Sequence, residues 1–178
     1  MRKRFEVQLE LCQMPIEEVQ VPTHTRDELP PVLATLQWIF CTPQINQEIF
    51  ALLEQAISKN KKATGRPGMD LWHVLVLAVV RLTLDCDYDR LAHVANYERL
   101  VRQIMGISTW LDNPGQIQFH AKTICDNTKL LSDTLLAQMN QVVIQHGHHL
   151  VLKKEDEKLA VKSDTYVLAT NVHFPTDC

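Results

Sequence analysis

The residues with the clearest chemical potential are cations, acids and histidines in distinct stretches. Lys59, Lys61, Lys62 and Arg66 share one loop with Gly65, Pro67 and Gly68. Cations so placed suit a phosphate backbone, and the glycines allow close approach. Arg90, Arg99 and Arg102 follow on a run of short helices, where they would meet phosphates or base edges. His146, His148 and His149 flank Gly147 and invite a metal reading. No cysteine or carboxylate stands beside them at ligand spacing, so they read better as exposed histidines at a helix end, where positive charge suits the C-terminus. Asp85, Asp87 and Asp89 crowd one polar break without the glycine and distal glutamate of a calcium loop. They read as helix-capping residues, and they would repel phosphate. Asp164 lies inside a Val- and Thr-rich stretch, where aspartate is disfavoured. An acid there needs an exposed face, a salt bridge to Lys158 or Lys162, or a metal.

The chain that positions these groups has 178 residues, 46% hydrophobic and 22% charged, with net charge −3. This is a globular composition and excludes collagen-like, mucin-like and wholly disordered classes. It also argues against nucleic-acid binding over the whole surface, but total charge says nothing of its distribution. The balance is −4 over residues 1–58, +3 over 59–130 and −2 over 131–178. Basic side chains therefore gather in the middle. The cysteines Cys12, Cys41, Cys86, Cys125 and Cys178 show no zinc or redox spacing and read as free thiols in a reducing cytosol. Met1-Arg2-Lys3-Arg4 is not followed by a long apolar run, so it is no signal peptide. Leu71 to Leu84 is too short for a bilayer and is interrupted by His73 and Arg81. The expectation is a soluble, cytoplasmic protein.

Pro15, Pro22, Pro30 and Pro31 predict an irregular N-terminal arm over residues 1–42, with one short helix over 32–40. Thr42-Pro43 resembles a helix start, and Ile45, Ile49, Leu52, Leu53 and Ala56 follow at helical spacing. Asp70 precedes an apolar helix over 71–84, placed at the centre of the core. After the break at residues 85–87 comes a helix over 88–95, interrupted by Asn96, then another over 97–105 that stops at Gly106. A long helix is expected from near Thr128 to His146, ended by Gly147. Beyond it, Leu150 to Leu152 and Leu159 to Val172 read as strands. The helices over 71–84, 88–95 and 97–105 resemble a helix-turn-helix, in which one helix enters the major groove. A plain helical core explains the same pattern, and the two readings stay open at this point.

A resemblance tips that balance. Gly65-Arg66-Pro67-Gly68-Met69-Asp70, Cys86-Asp87-Tyr88-Asp89-Arg90-Leu91 and Ala95-Asn96-Tyr97 resemble the N-terminal domain of bacterial insertion-sequence transposases. The relatives in question are those outside the named insertion-sequence families. The stretch from Ser163-Asp164-Thr165 through Thr170-Asn171-Val172-His173-Phe174-Pro175-Thr176-Asp177 resembles the start of their catalytic domain. The match runs in order through nearly the whole chain, starting with Arg-Asp-Glu-Leu-Pro-Pro at residues 26–31.

The resemblance implies an RNase H-like fold that cuts and joins DNA with an Asp, Asp, Glu set. Asp164 matches the first acid. Those carboxylates hold two magnesium (or manganese) ions about 3.5–4 Å apart, one activating the nucleophile and one stabilising the leaving oxygen. This sequence stops before the second aspartate and the glutamate of that set. A separate, smaller departure is Ala169, where relatives are expected to carry a different, non-catalytic glutamate. A single carboxylate holds magnesium weakly.

The expected fold is therefore mainly α. It has an arm over 1–42, a helix-turn-helix-like DNA-binding domain over 43–147, and a short β segment over 148–178 that begins a truncated RNase H-like domain. The expected function is recognition of the terminal inverted repeats of an insertion sequence, without catalysis or bound metal in this chain alone. The DNA-binding set is Lys59, Lys61, Lys62, Arg66, Arg90, Arg99 and Arg102; Asp164 is the catalytic and metal-ligating residue of a complete domain. The alternative is a protein-interaction module that dimerises with full-length transposase and inhibits it.

Overall fold

A computed structural model describes residues 4–5, 13–22, 24–58, 68–109 and 117–151. Among these residues all regular structure is helical. A 3-10 turn, Ile16–Glu18, precedes α1 (Leu29–Cys41), α2 (Pro43–Ser58), α3 (Leu71–Leu84), α4 (Tyr88–Tyr97), α5 (Arg99–Ile104), α6 (Ala121–Thr128) and α7 (Asp133–Val151).

The apolar helix α3 lies at the centre, with the bounds its sequence predicts. Leu71 through Ala78 are all buried, together with Val80, so nearly the whole circumference is covered. Helices α1, α2, α4 and α6 supply that cover. Ile45, Ile49, Leu53 and Ile57 recur every fourth residue along α2, and all are buried. Leu91 and Ala95 do the same on α4.

The short helix expected over 32–40 is present as α1, and it starts earlier because Pro30 and Pro31 lie within it rather than before it. Pro30 and Pro31 occupy the first turn of α1, where a missing N–H costs nothing. Asp27 Oδ1 accepts the Leu29 amide at 3.1 Å. Leu33, Leu36 and Ile39 then enter the common core with Ile16 and Val19. Gln37 Nε2 donates to the carbonyls of Ile16 (2.7 Å) and Val19 (2.9 Å), pinning the preceding segment to α1. The described residues of the stretch read as an arm thus contribute to the bundle.

Asn96 does not interrupt α4, which continues to Tyr97. The single helix expected over 128–146 is α7, which starts later at Asp133 and runs on to Val151, and the unexpected α6 precedes it. Ser132 Oγ accepts the Leu135 amide at the start of α7, separating it from α6. Gly147 lies inside α7, with nothing within 4 Å of where a Cβ would stand. Leu150 and Val151 are helical, so the short strand expected at 150–152 is not formed there. Helix α7 therefore crosses the expected domain boundary at residue 148. No strand occurs among the described residues. The strand expected over Leu159–Val172 lies outside them, as does Asp164 with the RNase H-like start.

Candidate nucleic-acid interface

Helices α3 and α4 are joined by Asp85, Cys86 and Asp87. Asp85 ends α3 in the left-handed region at φ 42°, a conformation aspartate tolerates better than most residues. Asp87 begins α4, and its Oδ1 accepts the Arg90 amide at 2.8 Å. Both therefore serve the helix ends, as the capping reading has it. Across this corner the Arg81 guanidinium lies 4.5 Å from the centre of the Tyr88 ring, a cation–π contact that ties the end of α3 to the start of α4.

Leu91 and Ala95 turn the opposite side of α4 to solvent. That side carries Asp89, Arg90, His93 and Tyr97, all exposed. Arg99, at the start of α5, is exposed as well. Two of the three helical arginines expected to meet DNA thus stand free of the core on consecutive helices.

Arg102 is different, and the structure corrects its expected role. It is 2% exposed. Its Nε and Nη2 donate to the Ser108 carbonyl at 3.2 and 2.9 Å, and Nη1 lies 3.4 Å from the carbonyls of Ala95, Asn96 and Ile117. A buried guanidinium needs such acceptors, and here they are the chain ends around the α4–α5 corner. Burial pulls its pKa below the usual guanidinium value. Arg102 is a clamp inside the domain and does not face a phosphate.

Helix α5 is held from the other side by α3. Trp72 Nε1 donates to the Ile104 carbonyl at 2.8 Å, and His73 Nε2 donates to that of Met105 at 2.9 Å. Burial pushes the His73 pKa down, against a weaker upward pull from the Met105 bond and the Asp70 charge. Gly106 follows at φ 67°, and a Cβ there would stand 2.6 Å from Phe5 Cζ.

Lys59, Lys61, Lys62 and Arg66 lie outside the described residues. Of the histidine triplet, His146 is inside α7 and not at its end, with Nε2 3.2 Å from Glu48 Oε1 on α2. Among the described residues no three His, Cys, Asp or Glu side chains gather as a metal-binding group. No helix among them is long and apolar enough to cross a membrane.

Sequence reasoning passed over two exposed residues of α4, His93 and Tyr97. Their signal was present: with Leu91 and Ala95 inward, helical periodicity puts both on the outer face beside Arg90. It also missed an apolar groove of about 500 Å³ between α1, α3 and α7, lined by Val32, Leu36, Val79, Leu82, Leu136 and Val143. Leu82 is 61% exposed at its edge.

No family model, curated protein or solved structure matches the chain.

Proposed function

We propose that this chain is the DNA-recognition part of a bacterial insertion-sequence transposase and binds duplex DNA at the ends of its element. The observation that carries the reading is the pair Arg90 and Arg99, exposed on consecutive helices whose corner is clamped by buried Arg102. A rigid corner lets two cations meet two phosphates without ordering a loop on binding. The basic loop residues Lys59, Lys61, Lys62 and Arg66 add to the same reading by sequence alone. On the resemblance, Asp164 is the first acid of an ion-holding set in a complete catalytic domain, with magnesium or manganese as the ion.

The test is fluorescence anisotropy on duplexes bearing the element's terminal repeats and on scrambled duplexes, across a salt series. Log affinity is expected to fall linearly with log salt. The double substitution Arg90→Gln, Arg99→Gln is expected to flatten the slope by about 0.9 per lost phosphate contact. Absent or salt-independent binding would overturn the reading.

A second reading is a protein-interaction module that pairs with full-length transposase and inhibits it. The apolar groove between α1, α3 and α7, with Leu82 at its edge, is the observation that favours it. Self-association that Leu82→Glu abolishes, with DNA affinity unchanged, would support this second reading.

A further inference from the structure

The outer face of α4 carries an aromatic pair as well as charge. His93 and Tyr97 are one helical turn apart, with ring centroids 4.9 Å apart and planes inclined by 42°. Tyr97 is 62% exposed. Arg90 lies one turn before His93, and Arg99 two residues after Tyr97. A helical rise of 1.5 Å per residue puts Arg90 about 10 Å along the axis from Tyr97. In sequence the two arginines bracket the rings, one on the same helix and one at the start of the next.

Charge on this face supplies only a modest part of the hold on a long duplex. Asp89 and Glu98 are also exposed here and offset the two guanidinium groups. Duplex binding is driven largely by phosphate neutralisation, which needs a surplus of cations. What the face does offer is an exposed aromatic surface with an exposed guanidinium one turn before it and another two residues after it in sequence. A paired base hides its flat face in the stack, whereas an unpaired base presents it. Aromatic side chains take up such bases with little regard to sequence.

We propose that His93 and Tyr97 form a stacking platform for an unpaired nucleotide of DNA, with Arg90 and Arg99 on the phosphates to either side. This rests on the DNA reading above and narrows its partner to DNA with a single-stranded or opened end. The acids then have a role too: they weaken capture of ordinary duplex, so the ring contact decides between substrates.

The experiment compares a blunt duplex, the same duplex with a short single-stranded tail, and that duplex with an abasic tail, by fluorescence anisotropy. The wild-type chain is expected to prefer the tailed duplex, and the abasic tail to lose the preference. Tyr97→Ala is expected to weaken tailed-duplex binding about tenfold and leave blunt-duplex binding unchanged. Tyr97→Phe is expected to keep the preference, because stacking uses the ring and not the hydroxyl. Both substitutions are at an exposed site, and far-UV circular dichroism checks that each variant is folded. Equal affinity for blunt and tailed duplex, preference retained by the abasic tail, or equal weakening of both by Tyr97→Ala overturns the platform while leaving the DNA reading standing. Failure to bind any of the three removes both. A change in self-association with no change on DNA would mark the face as a protein contact and overturn the platform.

Discussion

Asn96 and Phe119 exchange hydrogen bonds in both directions. Asn96 Nδ2 donates to the Phe119 carbonyl at 2.8 Å, and the Phe119 amide donates to Asn96 Oδ1 at the same distance. A side-chain amide near the end of α4 thus pairs with a backbone 23 residues away, as a neighbouring strand would. The pairing fixes the segment that leads into α6, which packs on both α3 and α4.

Removing that amide leaves a backbone donor and acceptor unpaired at a half-buried site. Asn96→Ala is expected to lower the free energy of unfolding by about 1–3 kcal/mol, read from urea denaturation. Asn96→Asp is expected to do no better, since its carboxylate keeps the acceptor and turns a second acceptor on the Phe119 carbonyl.

The buried clamp and the exposed arginine should separate cleanly. Arg102→Met strips donors from the carbonyls of Ser108, Ala95 and Ile117, and should cost about 2–4 kcal/mol of stability. Arg99→Gln, at an exposed site, should stay within about 0.5 kcal/mol of wild type. Thermal melts of the two variants side by side check this. Equal stability would show that Arg102 does not hold the α4–α5 corner.

His73 makes stability depend on pH in a known direction. Its ring contacts both Phe5 and Phe119, with centroids 5.2 and 5.8 Å away. Burial is the largest influence and holds its pKa below the ordinary value of 6.5. The unfolded chain takes up the proton near 6.5, while the folded chain resists it until lower pH. Below 6.5 the unfolded state therefore binds more protons, and stability falls as the pH drops towards the folded pKa. Above 6.5 the contribution is fully present. Urea midpoints between about pH 7.5 and pH 5.5 should decline for wild type and flatten for His73→Gln, which keeps a donor for Met105 but does not titrate in this range.

Gly106 should be intolerant of a side chain for two reasons. Its φ of 67° is strained for any residue with a Cβ, at about 1–2 kcal/mol, and that Cβ would collide with Phe5. Gly106→Ala should lower the melting temperature. Phe5→Ala in the same chain should recover part of the loss, giving a coupling between the two sites in a double-mutant cycle.

How much of this was legible depends on the kind of signal each residue leaves. Helix α3 and the turn at residues 85–87 were readable, because an unbroken apolar run and a capping aspartate act locally. The start of α1 was misjudged because Pro30 and Pro31 look alike as breakers and as first-turn residues. Only the packing of Leu33, Leu36 and Ile39 decides between the two. Helix α6 escaped notice because Ile124, Asn127 and Thr128 fill its inward positions. Two of those three are polar, and their burial rests on tertiary contacts no pattern reports. Arg102 illustrates the limit for the site. It is an arginine three residues after Arg99 on the same short helix, yet one guanidinium is inside and the other outside. The difference is set by the carbonyls of Ser108 and Ile117, which lie on later parts of the chain.

The central place of α3 also has a consequence for the order in which the chain is made. Its apolar surface is clothed by helices that come before it and by others that come after, with α6 among the last. A nascent chain leaving the ribosome has α1, α2 and α3 in hand well before Phe119 arrives to meet Asn96. During that interval one flank of α3 faces water. It is then that holding chaperones have most to bind, and a pause in translation between the codons for α5 and α6 would prolong the exposure.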